Sequence, residues 1–218
     1  MPQKYGISPL FMDVLILART RMSNGKCCVG GLAGDGSFVR LMDKDGYPQP
    51  EETQFRVRQI WEINYSQKRK IVPPHVEDVL VWGMKRKGSL SKRYKILDIV
   101  RRRGVQIWEG SPQKIFDELL QWTDLGSGYI AEGSSVPDHS VGFWLPDKDL
   151  SRIEAEGIRY VYPDITCWRR LKYVGYDEPV AEIPAGTLVR LSLSRWHQFE
   201  QDSEERCYLQ LSGWYDLD

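Results

Sequence analysis

The 218-residue sequence is poor in the residues that build metal and redox sites. It has three histidines and four cysteines, and no two cysteines form a Cys-x-x-Cys pair. Neighbouring Cys27 and Cys28 would point to opposite faces of a strand, which suits neither a zinc site nor a redox motif. We therefore expect reduced, mostly buried thiols and no metal or other cofactor.

Long apolar runs are absent as well. No run approaches the roughly 18 residues that a membrane-spanning helix needs. The N-terminal residues Met-Pro-Gln-Lys-Tyr-Gly lack the hydrophobic stretch of a signal peptide, so we expect a cytoplasmic protein with no membrane partner. The hydrophobic content of 41 % and the charged content of 28 % are ordinary for a globular protein with a real core. The length fits one large domain or two smaller ones.

Catalytic signatures are also missing. Neither a Gly-x-x-x-x-Gly-Lys loop nor a Gly-x-Gly-x-x-Gly loop follows a predicted strand, so nucleotide hydrolysis and dinucleotide binding lack support. His139 follows Asp138, but a catalytic triad depends on a geometry that neighbours in sequence rarely provide. We expect structural or surface roles for His75, His139 and His197, and no catalytic residues. A metal-dependent nuclease site made of carboxylates stays open as an alternative, because such sites have loose spacing.

The net charge is zero, but the charges are unevenly distributed along the chain. Residues 1–104 carry 20 Lys and Arg against 10 Asp and Glu, and residues 105–218 carry 10 against 20, which gives +10 and −10. The densest basic run, Lys85 to Arg103, contains nine basic residues and a single acid, Asp98. Such a field attracts polyanions to the N-terminal half. Docking of the basic half against the acidic half is a second interpretation, compatible with the first.

Period-two alternation and turn signals predict about ten short strands along the chain. Gly34-Asp35-Gly36 between two apolar runs predicts a hairpin, and Gly30-Gly31 in its first arm predicts a bulge or a close backbone approach. Tyr94 to Val100 is predicted as a strand. One helix is predicted over residues 111–123, where Ser111-Pro112 precedes apolar residues at helical spacing. The pattern indicates an all-β chain of small barrels.

The C-terminal stretch, residues 187–215, predicts a long antiparallel hairpin. Its aliphatic side chains share one face, which we expect to be buried: Val189, Leu191, Leu193, Cys207, Leu209 and Leu211. The other face is expected to be open and carries an arginine, small hydroxyls and aromatic rings: Arg190, Ser192, Ser194, Tyr208, Gln210, Ser212 and Trp214. An ordinary sheet half covered by core would show the same pattern, with Tyr and Trp present for their strand propensity.

Both ends of the chain contain distinctive strand patterns. The first half contains Leu-Ile-Leu-Ala-Arg-Thr-Arg, Gly-Lys-Cys-Cys-Val-Gly-Gly and Gly-Ser-Phe-Val-Arg-Leu; the second ends in Leu-Ser-Leu-Ser-Arg-Trp and Arg-Cys-Tyr-Leu-Gln-Leu-Ser-Gly-Trp-Tyr. These segments resemble the dual OB-domain family, a prokaryotic group with two tandem OB-type barrels. The resemblance implies two small OB-like barrels, a basic one over residues 1–104 and an acidic one over 105–218, with one or two short helices. It also implies nucleic-acid binding by an accessory protein of a bacterial defence system or another mobile-element conflict system.

The leading hypothesis is therefore a non-catalytic protein that binds nucleic acid, single-stranded DNA or RNA rather than duplex. OB-type surfaces stack bases on aromatic rings while Lys and Arg contact the phosphates. The expected stacking residues are Trp196, Tyr208 and Trp214. Contacts to the backbone or to base edges are expected from Arg19, Arg21, Lys26, Arg40, Lys85, Arg86, Lys87, Arg190, Ser192 and Arg195. The alternative is a protein-interaction scaffold whose acidic C-terminal half binds a protein partner.

Overall fold

The computed structural model describes residues 10–22, 25–164, 168–199 and 204–217. In these ranges the regular structure consists of sixteen strands, one α-helix and a short 3-10 turn. The predicted all-β fold is confirmed. Within the same ranges, no helix is long and apolar enough to cross a membrane.

The first sheet is built from residues 10–89 and closes on itself. Its strands are β1 (Leu10–Arg21), β2 (Lys26–Ala33), β3 (Phe38–Met42), β4 (Gln49–Pro50), β5 (Gln59–Gln67) and β6 (Asp78–Ser89). Pairing runs β1–β2–β3–β6–β5 and returns to β1, and β3 and β6 are parallel while the other neighbours are antiparallel. This is the Greek-key order of a five-stranded OB-type barrel, with the short β4 paired to β2.

The alternation of β2 and β3 separates the inside of this barrel from its outside. Cys27, Val29, Val39 and Leu41 pack in the barrel core, so the residues between them point outward. The predicted hairpin and close approach are both confirmed. A Cβ on Gly31 would lie 2.3 Å from Val14 Cγ1, and the register of β1 against β2 shifts in the same region.

The second sheet is built from residues 107–214. Its strands are β7 (Ile107–Glu109), β8 (Gln121–Trp122), β9 (Gly128–Ala131), β10 (Val141–Leu145), β11 (Leu150–Glu154), β12 (Ile158–Tyr162), β13 (Arg169–Tyr173), β14 (Glu182–Ile183), β15 (Val189–Leu193) and β16 (Arg206–Trp214). Pairing runs β11–β12–β13–β16–β15–β10, and β13 and β16 are parallel. Only residues 146–149 separate β10 from β11. The first and the last strand of this pairing order therefore belong to one continuous stretch of chain. The second sheet thus repeats the order of the first, with β10 and β11 together acting as its first strand.

The single described α-helix lies in a segment predicted to be a strand. It is α1 (Ile96–Arg102), which buries Ile96 and Val100, four residues apart on one helix face. At its N-terminus the Ile96 N–H donates a 2.7 Å hydrogen bond to the Asp216 carboxylate. The cap therefore comes from the far end of the chain, where no local sequence signal could reveal it.

The helix predicted over residues 111–123 is wrong. The Ser111-Pro112 signal starts only a 3-10 turn over Pro112–Lys114, after which Phe116, Asp117 and Glu118 adopt positive φ angles. Ile115 and Phe116 are fully buried, and the Phe116 ring lies 4.8 Å from that of Trp108. Burial of these side chains in the second barrel's core overrides the helical preference of the segment.

The two barrels share a hydrophobic cluster. Leu15, Leu17 and Leu32 of the first barrel pack in one cluster with Phe143, Leu188 and Tyr215 of the second and with α1. The Tyr215 hydroxyl donates a 2.7 Å hydrogen bond to the Leu17 carbonyl. These contacts fix how the barrels sit against each other. The domain boundary predicted after residue 104 stays a prediction.

Candidate nucleic-acid interface

OB-type barrels bind oligonucleotides on the face of their second and third strands, between the loop joining strands 1 and 2 and the loop joining strands 4 and 5. In the first barrel this face belongs to β2 and β3, and in the second to β12 and β13. The loops bordering the second face are residues 155–157 and 194–205. Residues 200–203, at the predicted tip of the C-terminal hairpin, lie outside the described ranges.

The β2–β3 face of the first barrel is covered by the second barrel. Arg190 of β15 packs so closely on β2 that a Cβ on Gly30 would lie 2.5 Å from its Nη2. Arg40 of β3 donates a 2.7 Å hydrogen bond to the Ser140 hydroxyl. Phe38 and Phe143 bring their ring centroids within 5.7 Å of each other. Most of this face therefore serves the contact between the barrels.

The β12–β13 face of the second barrel is open and forms a groove of about 650 Å³. Tyr160, Leu171 and Tyr173 pack in the barrel core, so Arg159, Arg170 and Lys172, which alternate with them, point into the groove. Lys172 is in register with Gln210 of β16, which brings the two strands onto one surface. We term this surface the basic groove: Arg159, Arg170, Lys172, Arg195, His197, Phe199, Tyr208 and Gln210.

A row of aromatic rings lies along the basic groove. The Phe199 ring centroid lies 4.4 Å from that of His197 and 5.6 Å from that of Tyr208, and the Tyr129 ring, outside the groove lining, lies 5.9 Å from that of Tyr208. Phe199 is 49 % exposed. An exposed ring beside basic side chains is the arrangement on which an unpaired base can stack.

The basic groove is positive although its half of the chain carries a charge of −10. Arg159 is paired with Glu156 at 3.4 Å. By contrast, no ion pair among the described residues involves Arg170 or Lys172. The net charge of a half therefore does not reveal where its charges are concentrated.

One end of the basic groove meets a buried ion network centred on Asp78. Its carboxylate accepts hydrogen bonds from Arg40 at 3.0 Å, Arg195 at 2.8 Å and Lys68 at 3.2 Å. Burial alone would raise the pKa of Asp78, but the charges of Arg40, Arg195 and Lys68 outweigh it and hold this pKa below its ordinary value. Asp78 is therefore ionised and ties Arg195 of the second barrel to the first.

His75 and Cys207 face each other near this network, with Nε2 and Sγ 3.7 Å apart. Burial, together with the Arg40 and Arg195 charges, lowers the pKa of His75 to about 3. Burial raises the pKa of the Cys207 thiol to about 12. Both groups are uncharged at neutral pH, so the pair is not an activated nucleophile. In the described part of the chain, no group of three or more His, Cys, Asp and Glu side chains is placed to hold a metal ion.

Five predicted contact residues meet at a second cavity, of about 250 Å³, between the two barrels. We term it the seam cavity, defined by Arg21, Arg40, Arg190, Ser192 and Arg195. Arg195 lines both the seam cavity and the basic groove. The prediction that Arg190 and Ser192 lie on an open face is wrong. Both are buried, because the first barrel covers that side of β15.

Trp214 is likewise not on an open face. The pairing of β15 with β16 contains a bulge next to Arg190, and one extra residue reverses the alternation of β16 beyond Leu211. Trp214 therefore packs on the core side, with its ring centroid 5.6 Å from that of Tyr160 and 5.0 Å from that of Tyr173. The prediction that Trp214 lies on the open face is wrong, and its predicted role in base stacking stays a prediction.

Of the other two predicted stacking residues, one lies in the basic groove. Tyr208 lines it beside Phe199. Trp196 is half-buried outside the groove lining, and its indole N–H donates a 2.7 Å hydrogen bond to the Pro73 carbonyl. Trp196 thus joins the second barrel to the loop before β6 of the first.

The remaining predicted contact residues lie away from the basic groove. The Arg19 guanidinium lies 4.7 Å from the Tyr176 ring, and Lys26 is half-buried at the start of β2. Lys85, Arg86 and Lys87 are exposed side chains of the long strand β6. One of the three, Lys87, forms a 2.8 Å ion pair with Asp13.

Four residues of the basic groove were not predicted from the sequence: Arg159, Arg170, Lys172 and Phe199. The three basic residues alternate with buried Tyr and Leu residues at period two, a signal that is visible in the sequence. Phe199 sits in a polar segment without periodicity, so no sequence pattern pointed to it.

Sequence comparison agrees with this architecture. A family model described as a dual OB-containing domain matches residues 12–214. None of the curated proteins compared with the chain matches it. The match extends from within β1 to the end of β16 and includes α1 and the basic groove. The chain belongs to the dual OB-containing domain family, and its two OB folds suggest nucleic-acid binding.

Proposed function

We propose that the chain is a non-catalytic protein that binds single-stranded nucleic acid in the basic groove. The observation that supports this most directly is the exposed Phe199 ring, with Tyr208 beside it, next to the outward cations of β12 and β13. Rings supply stacking that tolerates any base, and cations contact the phosphates. These are the two components by which OB-type surfaces hold single strands.

The aromatic row favours single strands over duplex. Stacking requires a base with an exposed π-face, which a base inside a duplex does not offer. Arg170 and Lys172 would still attract the phosphates of a duplex. Duplex binding should therefore be weaker. It should result almost wholly from electrostatic attraction, so its affinity should fall steeply as the salt concentration rises.

Fluorescence anisotropy with labelled oligonucleotides of about 12 nucleotides, within the usual site size of OB folds, tests this proposal. DNA, RNA and the matching duplex are titrated with the wild type, with Phe199→Ala and with Arg170→Gln/Lys172→Gln. Phe199→Ala should weaken single-strand binding by about 1–3 kcal/mol, the usual range for one base–aromatic contact. The double variant should weaken binding to every sequence and flatten its dependence on salt, because each phosphate contact releases counterions.

Lys114→Gln is the matched control. Lys114 is an exposed lysine of the same half of the chain, in the 3-10 turn and outside the groove lining. If Lys114→Gln weakens binding as much as Arg170→Gln/Lys172→Gln, general charge and not the groove is responsible. If the wild type binds neither DNA nor RNA at low salt, the proposal fails and a protein partner for the acidic half becomes the better hypothesis. Cleavage of the oligonucleotide on addition of a divalent metal would favour the nuclease alternative.

The cytoplasmic location and the setting in a bacterial defence system stay predictions of the sequence and of the family resemblance.

A further inference from the structure

The seam cavity contains a buried positive charge that forms no ion pair in the described part of the chain. Arg40 and Arg195 share the Asp78 carboxylate, and Arg21 donates a hydrogen bond to the Gly175 carbonyl. Arg190 is different. It is 4 % exposed, its Nε is buried without a partner, and no hydrogen bond or ion pair between described residues involves its side chain.

The Arg190 guanidinium is held in place by its surroundings. β15 is paired on both sides, with β10 and with β16, so the backbone of Arg190 is fixed. The side chain lies against the backbone of Gly30, where a Cβ would approach Nη2 to 2.5 Å and Cζ to 3.1 Å. Glycine at this position leaves the space that the guanidinium occupies. The charge is therefore presented to the cavity in one orientation.

A buried guanidinium that makes no ion pair and no hydrogen bond is unfavourable in the free protein. Burial lowers the pKa of Arg190, yet an arginine does not lose its proton in a protein, so the charge remains. A charge of this kind beside a cavity is characteristic of a functional site, because a ligand can supply the missing partner. An anion is the ligand that would pair with the Arg190 charge.

The shape and walls of the seam cavity favour a phosphate group. Its volume of about 250 Å³ exceeds that of several water molecules at about 30 Å³ each, so a phosphate fits with part of the group that carries it. The planar fork of an arginine matches two phosphate oxygens. Met42 and Val141 provide an apolar wall for an attached sugar or base.

The mouth of the seam cavity leads to the basic groove. Arg21 and Arg195 on its rim are exposed. Ser194, Arg195 and Gln210 line both the cavity and the groove, so the two spaces are neighbours. The end of a strand lying in the groove can therefore reach the cavity.

We propose that the seam cavity binds a phosphate monoester, with Arg190 donating hydrogen bonds to its oxygens and Arg195 at the mouth. Two sources could supply this phosphate. One is the terminal phosphate of a strand bound in the basic groove, and this source rests on the proposed function. The other is the phosphate of a free nucleotide.

The first test measures anion binding without any oligonucleotide. Thermal melting and calorimetric titration are carried out with inorganic phosphate and with adenosine 5′-monophosphate, at constant ionic strength with chloride as the reference. The wild-type melting temperature should rise with phosphate concentration, as expected when a ligand binds only the folded state. Arg190→Met, of similar length but uncharged, should show no such rise, while Lys114→Gln should respond as the wild type does.

A second variant keeps the test decisive if Arg190→Met does not fold. Arg190→Lys retains a positive charge but loses the planar fork. It should bind phosphate about tenfold more weakly than the wild type, the equivalent of one charge-assisted hydrogen bond.

Oligonucleotides of one sequence with a 5′-phosphate, a 3′-phosphate or only hydroxyl ends identify the source of the phosphate. A strand end in the cavity should give about tenfold preference for one phosphorylated form, and Arg190→Met should remove that preference. Equal affinity for all ends, with nucleotide binding retained, identifies a free nucleotide. Phosphate binding without any oligonucleotide binding would refute the proposal that the basic groove binds nucleic acid. It would still support the proposal that the seam cavity binds phosphate. The seam-cavity proposal is refuted if phosphate, nucleotide and phosphorylated ends all have no effect, or if Arg190→Met responds like the wild type.

Discussion

The two barrels have the same strand order but use the same face in different ways. In the first barrel the outer side of β2 and β3 packs against the second barrel, through Gly30, Phe38 and Arg40. In the second barrel the corresponding β12–β13 face is open and carries outward cations. A repeated fold therefore does not imply a repeated site, because a face that joins two barrels is largely removed from ligand binding.

This difference also changes the meaning of the charge asymmetry. The first half carries +10 and the second −10, which favours the first half as the binding region. The open groove nevertheless lies on the second barrel, where Arg159, Arg170 and Lys172 are concentrated on one surface. In the first barrel, Arg40 is buried in an ion network and Lys87 is paired with Asp13. Local placement of charges matters more here than their sum.

Disrupting the covered face at Arg40 should produce the largest effect. Arg40→Met leaves the buried carboxylates of Glu77 and Asp78 without a cation that now contacts both. Removing one member of a buried ion network typically costs about 3–5 kcal/mol. Urea unfolding followed by tryptophan fluorescence measures this loss. Lys172→Gln on the open face should change the free energy of unfolding by less than about 0.5 kcal/mol, and equal losses would show that the faces do not differ.

Trp214→Ala should have the next largest effect, a loss of folding stability. Because Trp214 packs beside Tyr160 and Tyr173, its truncation should lower the free energy of unfolding by about 3 kcal/mol, the low end for a large aromatic residue. Tyr208→Ala should mainly weaken oligonucleotide binding. Melting and affinity are measured on the same samples. A Trp214→Ala protein that melts normally but binds poorly would restore the open-face assignment.

Most strands could be predicted because their signal is local. The β2–β3 hairpin follows from two apolar runs around Gly34-Asp35-Gly36, and the core residues of β15 and β16 follow from alternation. Helices were harder to predict. The N-terminus of α1 is capped by Asp216 from the end of the chain. The segment after Ser111 does not form the predicted helix, because its backbone bends to bury Phe116 in the core. Both outcomes depend on contacts distant in sequence.

The site could be predicted only in part, for a related reason. Alternation shows that Arg190 and Tyr208 point away from the core of the second barrel, but it does not show what lies on that side. The first barrel covers Arg190 and leaves Tyr208 in the groove. The bulge that turns Trp214 inward is a property of strand pairing, which one strand's sequence does not encode.

The histidine buried at the barrel junction should make stability depend on pH. The pKa of His75 falls from 6.5 to about 3 on folding, so the unfolded chain binds a proton that the folded protein does not. Stability should therefore decrease as the pH falls below about 6.5, by up to about 1.4 kcal/mol per pH unit, or about 2 kcal/mol by pH 5. Urea unfolding at several pH values measures the slope. His75→Gln should reduce the slope, and an unchanged slope would contradict this account of the junction.

The smallest effect is expected from the exposed cations of the first barrel. Lys85, Arg86 and Lys87 project from β6 and line neither the basic groove nor the seam cavity. We propose that they add non-specific attraction for phosphates. Changing all three to Gln should weaken binding to every sequence by only about two- to tenfold at low salt and reduce the salt dependence. Phe199→Ala should instead leave the salt dependence unchanged, because stacking releases few counterions.

If affinity and salt dependence are both unaffected by the triple change, these residues are solvated surface, and the second barrel alone binds the strand. If the triple change exceeds Arg170→Gln/Lys172→Gln in effect, the first barrel is the main binding surface after all.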